Sequence, residues 1–138
     1  MDTLEAITHV NDYLDESGFY LLATADGKQP KCRPMRMHML LKGRLYFGTG
    51  RFKDVFKQMQ ANPLVEIVAV KDNCFMRYYG TAVFEDTYDL AQAILEKTPG
   101  AKNVYTMEDD MKLEIFHLEN ATAEFRTMLG IEESVRFE

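Results

Sequence analysis

Apolar residues recur at helical spacing at the start of the chain. The first stripe consists of Leu4, Ile7, Val10 and Leu14. It lies among acidic residues and is followed by Gly18, which predicts an amphipathic helix that ends there. The β-prone stretch 19–24 follows and ends at Asp26–Gly27, a pair that favours a tight hairpin turn.

Period-two alternation dominates residues 31–41 and predicts a single strand. One face carries Met35, Met37 and Met39, and the other carries Arg36, His38 and Leu40. The strand should therefore have an apolar face and a largely polar face. Lys42–Gly43 predicts a turn, after which residues 45–47 pair back.

The pattern then returns to helical spacing. Phe52, Val55, Phe56 and Met59 form the stripe of a helix that begins near Gly50 and ends before Pro63. Further elements are predicted as strands at 64–70 and 74–85, a helix capped by Asp86 and running through Lys97, and a closing hairpin of 113–118 and 121–125 around Glu119–Asn120. Residues 101–111 are consistent with either a loop or a short helix.

These elements predict a mainly β fold. Six or seven strands joined mostly by short turns favour antiparallel pairing, with helices at the start, in the middle and late in the chain. Six antiparallel strands around an inserted helix suggest a small barrel with Greek-key character. The length of 138 residues, with no repeat or linker, predicts one domain over 1–138.

Composition excludes several classes of protein. The apolar runs are far shorter than the roughly 20 residues of a membrane-spanning helix, and no secretory signal pattern opens the chain. Cys32 and Cys74 are expected to be buried or half-buried reduced thiols of a cytoplasmic protein. No set of metal ligands is spaced suitably, and a net charge of −6 argues against nucleic-acid binding.

Positive charge is concentrated in one segment. Nine of the 16 basic residues lie between positions 28 and 57, which carry a net charge of +8 while the rest of the chain carries −14. Within this segment, residues 48–53 combine a glycine-rich turn with a predicted helix start. Gly48 and Gly50 would allow close backbone approach, and a phosphate could contact Thr49, Arg51 and Lys53. An ordinary turn with exposed bases is the alternative.

Other sites of chemistry have weaker signals. The dinucleotide fingerprint and the Walker loop are both absent, and no histidine lies in a nucleophile motif. His38 shares its predicted face with Arg36 and could line a pocket. Arg77, on one face with Tyr79, is either an extended surface residue or an anion contact.

Several segments in order resemble one known family. They are Phe19-Tyr20-Leu21-Leu22-Ala23-Thr24, Arg33-Pro34-Met35, Leu45-Tyr46-Phe47-Gly48-Thr49, Lys53-Asp54-Val55-Phe56-Lys57-Gln58-Met59, Ala61-Asn62-Pro63-Leu64-Val65-Glu66-Ile67 and Gly80-Thr81-Ala82-Val83-Phe84. Over residues 4–127 the chain resembles the FMN-binding split barrels of the pyridoxamine 5'-phosphate oxidase-like superfamily. It looks most similar to the small single-domain group related to nitroimidazole-resistance proteins.

The resemblance implies a six-stranded split barrel that works as a homodimer, with FMN bound across the subunit interface. Carried onto this chain, it implies three groups of contacts: Arg33, Pro34, Met35 and Arg36 along the flavin, Thr49, Arg51 and Lys53 at the phosphate, and Arg77 and Tyr79 from the partner subunit. The implied function is an oxidoreductase whose flavin is reduced by a nicotinamide and reoxidised by a small-molecule acceptor. No residue is assigned to catalysis. Without a tryptophan, the chain is not expected to oxidise pyridoxamine phosphate.

Two alternatives remain open from the sequence. One is a flavin- or haem-binding module without turnover, used for storage or sensing, in which His38 could be an axial haem ligand. The other is a structural dimeric barrel with an empty site.

Overall fold

The computed structural model describes residues 1–137 as three helices around an antiparallel sheet. The helices are α1 (Thr3–Ser17), α2 (Asp54–Ala61) and α3 (Tyr88–Lys97), and a short 3-10 turn covers Ala101–Asn103. The strands are β1 (Tyr20–Asp26), β2 (Gln29–Met35), β3 (His38–Leu41), β4 (Arg44–Gly50), β5 (Leu64–Lys71), β6 (Cys74–Glu85), β7 (Leu113–Thr127) and β8 (Gly130–Arg136). The mainly β prediction is confirmed, with eight strands instead of six.

The sheet has a Greek-key order. Its strands run β2-β1-β5-β6-β7-β4-β3, and β8 pairs with β7 off this path. Because β5, β6 and β7 are successive neighbours and β4 lies beyond β7, these four strands have the spatial order of a Greek key. Within residues 1–137 the two ends of the path, β2 and β3, do not pair, so the sheet is an open, split barrel.

The barrel interior holds the main hydrophobic core. α1 closes one side of it with Ile7, Val10 and Leu14, as its helical stripe predicted. The rings of Phe47 and Phe116 stack at 5.4 Å between centroids in the centre of this core. A second, smaller apolar cluster lies under α3. It contains Met37, Ala91, Ile94, Leu95, Ala101, Leu113 and Ile115.

The predicted closing hairpin is wrong. Residues 113–127 form one continuous strand, and the bend at Asn120, where φ is 50°, lies within it. Opposite this bend, a Cβ on Gly80 would lie 2.7 Å from the carbonyl oxygen of Glu119, so only glycine permits the close approach of the two backbones. The register of β6 against β7 shifts at the same place, between Tyr79 and Thr81. The turn signal therefore marks a bulge. The last strand, β8, had not been predicted.

The strand predicted over residues 31–41 is divided in two. β2 ends at Met35 and β3 begins at His38, so the chain leaves the sheet at Arg36 and Met37. His38 does not lie on an exposed face, since only 7% of its surface is exposed. Cys32 is exposed, whereas Cys74 is half-buried as expected.

Two helix starts also differ from prediction. β4 continues through Gly50, so α2 begins at Asp54. Thr87, not Asp86, precedes the first turn of α3, and Asp86 accepts a hydrogen bond of 2.6 Å from Lys112. In the part of the chain that the structure describes, none of the helices has the length and hydropathy needed to cross a membrane.

Candidate functional site

Two of the predicted cofactor residues, Arg33 and Lys53, line the same surface depression. It lies where β2 passes the start of α2 and has a volume of about 340 Å³. Its lining consists of Asp26, Lys31, Arg33, Lys53, Asp54, Val55 and Gln58. Three bases and two acids make the depression cationic, even though the whole chain is acidic.

The guanidinium of Arg33 is held by neutral acceptors. Its Nη1 donates to the carbonyl oxygen of Leu22 at 3.1 Å and to Thr24 Oγ1 at 2.7 Å. Its Nη2 donates to Gln58 Oε1 at 2.7 Å, and Gln58 Oε1 also accepts from the Thr24 hydroxyl at 2.6 Å. Burial lowers the pKa of Arg33, because a half-buried cation loses hydration. This arrangement fixes the positive charge in place without neutralising it.

Three other arginines in the structure differ from Arg33 in this respect. Arg51 contacts Glu114 at 2.8 Å, Arg77 contacts Glu66 at 2.8 Å and Arg126 contacts Glu124 at 2.7 Å. Each of these guanidinium groups has a carboxylate partner. Among residues 1–137, no salt bridge neutralises Arg33, so its charge is available to an anion that enters the depression.

The start of α2 adds donors on the same side. Lys53 is the N-cap residue, and no side chain caps the first turn. The amide of Phe56 donates to the carbonyl of Lys53 at 3.2 Å. The amides that precede it in the first turn of a helix are left without intrahelical partners. Val55 in this first turn lines the depression. The positive end of the helix dipole therefore reinforces Arg33 and Lys53.

The other residues predicted to contact a phosphate do not have the open arrangement that a glycine-rich turn at a helix start would give them. Thr49 is fully buried, and its hydroxyl has no partner among residues 1–137. A Cβ on Gly50 would lie 2.6 Å from the Phe52 ring and 2.9 Å from the Tyr105 ring, so the space beside Gly50 is filled by the chain's own side chains. The Arg51 guanidinium donates a hydrogen bond to Glu114 on β7. Their assignment to a phosphate stays a prediction.

The residues predicted to lie along the flavin separate at the end of β2. Met35 is a core residue with 7% of its surface exposed, whereas Pro34 is exposed on the strand. Arg36 is exposed and lines a second depression, between the last turns of α1 and α3, together with His38 and Lys97. Of the four, only Arg33 reaches the cationic depression.

His38 is enclosed by polar groups from α1 and α3. Its Nδ1 lies 3.1 Å from Asn11 Oδ1, its Nε2 lies 3.2 Å from Asp15 Oδ1, and its backbone carbonyl accepts a hydrogen bond from Lys97 at 2.7 Å. Burial and, second, the charge of Lys97 lower the pKa of His38 from 6.5 to about 4, while Asp15 acts in the opposite direction. Both ring nitrogens face side-chain oxygens of α1, so neither is directed towards open space in which a haem iron could bind.

Arg77 and Tyr79 lie together on the outer face of the sheet. Arg77 is paired through two nitrogens with Glu66, and Tyr79 donates to Glu124 at 2.6 Å. These bonds raise the pKa of Arg77 and of Tyr79, and the Tyr79 bond lowers the pKa of Glu124. The face is half-exposed along β6, in agreement with its predicted alternation.

Three residues that line the depression or hold Arg33 beside it were not among the predicted site residues. Lys31 lies two positions before Arg33 on β2, so period-two spacing places both on one face and could have indicated it. Thr24 and Gln58 approach Arg33 from β1 and α2. No local pattern identifies them, because their contacts with Arg33 depend on how β1, β2 and α2 meet.

Comparison with known proteins agrees with this architecture. Residues 7–126 match the profile of the family described as "Pyridoxamine 5'-phosphate oxidase". The chain belongs to the pyridoxamine 5'-phosphate oxidase family. No curated protein sequence matches it significantly.

Several solved structures share this fold. A NimC/NimA family protein from Clostridium acetobutylicum is 27% identical, with a TM-score of 0.84 over 98% of this chain and 93% of that one. General Stress Protein 26 from Bacillus anthracis is 19% identical, with a TM-score of 0.71 over 99% and 100% of the two chains. A heme binding protein from Mycobacterium smegmatis is 14% identical, with a TM-score of 0.70 over 99% of this chain and 58% of that one.

Proposed function

We propose that this protein is an FMN-binding oxidoreductase of the cytoplasm, in which a nicotinamide reduces the flavin and a small molecule accepts the electrons. The observation that carries the proposal is the Arg33 guanidinium, held by neutral acceptors beside Lys31 and Lys53. Membership of the oxidase family supports the choice of FMN as the anion.

The chain's own residues would act by binding and orientation. Arg33, Lys31 and Lys53 would hold the doubly charged phosphate ester, and free amides at the start of α2 would donate to its oxygens. Arg33 is already fixed by Thr24 and Gln58, so little of its side-chain freedom is lost when the ester binds. Bound FMN would supply the electron-transfer chemistry.

The proposal predicts that the phosphate contributes much of the affinity. FMN should bind at least about tenfold more tightly than riboflavin, because each charged contact contributes about 1–3 kcal/mol. Lys53→Met should reduce this preference without abolishing it, because Arg33 and Lys31 remain, and fluorescence titration with both flavins measures the change. Lys57→Met is the matched control, since Lys57 is exposed one turn further along α2 and does not line the depression.

Three outcomes would count against parts of this proposal. Protein that stays colourless after incubation with FMN would contradict flavin binding. Equal affinity for FMN and riboflavin would contradict the phosphate site. Bound flavin that stays oxidised when NADPH is added anaerobically would contradict a nicotinamide as donor and favour storage or sensing.

A homodimer that completes the flavin site is the second part of the proposal. The outer face that carries Arg77 and Tyr79 also presents Leu21, with 38% of its surface exposed, and the half-buried Val68, which is in register with Leu21. Leu21→Asp should therefore give a folded monomer that binds FMN more weakly, measured by analytical ultracentrifugation and flavin titration. Leu4→Asp, an equally charged change at an exposed position on α1, should leave both unchanged. A Leu21→Asp variant that stays dimeric would contradict this interface.

A haem-binding role has less support from the chain itself. One structural neighbour is a heme binding protein, but at 14% identity the likeness concerns the fold alone. The residue suggested as an axial ligand, His38, has its two ring nitrogens directed at Asn11 and Asp15. A Soret band in the protein as isolated would nevertheless decide for haem.

A further inference from the structure

The segment between α3 and β7 is tied closely to the end of β4. Within it, the amide of Thr106 donates to the carbonyl of Met111 at 2.9 Å, and the amide of Leu113 returns to Thr106 at 2.9 Å. The amide of Arg51 donates to the carbonyl of Lys112 at 2.9 Å. The sequence is consistent with either a loop or a short helix in residues 101–111 of this segment. The structure has both: a short 3-10 turn over Ala101–Asn103, and then a loop fixed against the residues that lead into α2.

Tyr105 is the residue by which this loop contacts Lys53, one of the residues that line the cationic depression. Its ring stacks on Phe52 with centroids 5.9 Å apart and planes inclined by 27°. Both rings occupy the space that a side chain at position 50 would need, so Gly50 allows them to pack against the backbone. The Tyr105 ring is therefore fixed on two sides.

The ammonium of Lys53 lies over this fixed ring. Its Nζ is 5.5 Å from the centroid of Tyr105, within the range of a cation–π contact. Lys53 also lines the depression that holds Arg33. A lysine side chain has many rotamers in water, and the ring favours those that keep the ammonium beside the depression.

We propose that Tyr105 is a positioning residue that holds the ammonium of Lys53 over its ring and so sets the preference of the site for a phosphorylated flavin over an unphosphorylated one. This inference rests on the proposed FMN site. Because Tyr105 acts through Lys53, replacing Tyr105 should weaken only the binding of the phosphate group. The rest of the ligand should bind as before.

The test compares two substitutions at position 105. Tyr105→Leu should weaken FMN binding by about three- to tenfold and leave riboflavin binding unchanged, because only the cation–π contact is lost. Tyr105→Phe keeps an aromatic face and should retain the affinity for FMN. In a Lys53→Met background, Tyr105→Leu should have no further effect on FMN binding.

A measurement without flavin separates this inference from the proposed function. In the free protein, the side-chain protons of Lys53 should show an upfield ring-current shift by NMR, and Tyr105→Leu should abolish it. If the wild-type protein lacks this shift, or if Tyr105→Leu weakens FMN and riboflavin equally, the positioning role is wrong. If the shift is present but Lys53→Met leaves FMN binding unchanged, the phosphate site is wrong instead. Should Tyr105→Leu fail to fold, Tyr105→Met is judged by the same criteria.

Discussion

Replacing Phe47 by alanine is expected to lower the free energy of unfolding by about 3–5 kcal/mol, the usual cost of removing a fully buried aromatic ring. None of the Phe47 surface is exposed. Its ring contacts Phe116 at 5.4 Å, Tyr20 at 5.5 Å and Tyr78 at 6.4 Å between centroids, and these rings come from β7, β1 and β6. Strands on all sides would therefore border the resulting cavity, and no single element can move to fill it.

Chemical denaturation of the two proteins measures this effect. Phe19→Ala is the matched control, because Phe19 is the same residue type with 52% of its surface exposed just before β1. It should cost less than about 1 kcal/mol, as is usual for surface positions. A Phe47→Ala protein as stable as the Phe19→Ala protein would contradict the position of the core. Since Phe47 does not line the cationic depression, Phe47→Ala should weaken flavin binding only as far as it unfolds the protein.

The sequence predicted those parts of the fold that depend on local patterns. The α1 stripe is confirmed at Ile7, Val10 and Leu14, whereas its first residue, Leu4, is exposed. The alternation of β5 is confirmed, because one face of the strand packs against the barrel core. The turns at Lys42 and Asp72 are confirmed as well, and both residues have positive φ angles, at 51° and 54°. Such conformations are determined within a few residues, so a local pattern is sufficient to find them.

Features that depend on distant contacts could not be predicted in the same way. The pair Glu119–Asn120 has the composition of a turn. Gly80 on the neighbouring strand has no side chain and leaves room for the backbone at this position, so β7 stays continuous. His38 alternates with methionines as a surface residue would. It is buried because α1 and α3, far away in sequence, meet over it. Neither contact is visible within a window of neighbouring residues.

The candidate site shows the same division. A concentration of bases between positions 28 and 57 predicted an anion site, and Arg33 and Lys53 do line one depression. Their neighbours Thr49 and Arg51 were assigned to the same phosphate by sequence proximity. The structure buries the first and pairs the second with Glu114. Whether a guanidinium is neutralised depends on which strand lies opposite, and this requires the sheet order.

Stability is expected to fall by about 3 kcal/mol as the pH is lowered from 6.5 to 4, owing to His38 alone. Burial and the Lys97 charge lower the pKa of His38 to about 4 in the folded protein, against 6.5 as its ordinary value. The unfolded chain therefore takes up a proton in this range while the folded protein does not. The stabilisation is fully present above pH 6.5 and is lost progressively as the pH falls towards 4.

Two variants isolate this contribution from the carboxylates that titrate in the same range. His38→Gln removes the titrating group, so its unfolding free energy should depend less steeply on pH between 6.5 and 4 than that of the wild type. Lys97→Met removes a positive charge that disfavours protonation, so NMR titration of His38 should give a pKa above the wild-type value. Equal slopes for wild type and His38→Gln, or a wild-type pKa near 6.5, would show that His38 is solvated and that α1 and α3 do not close over it.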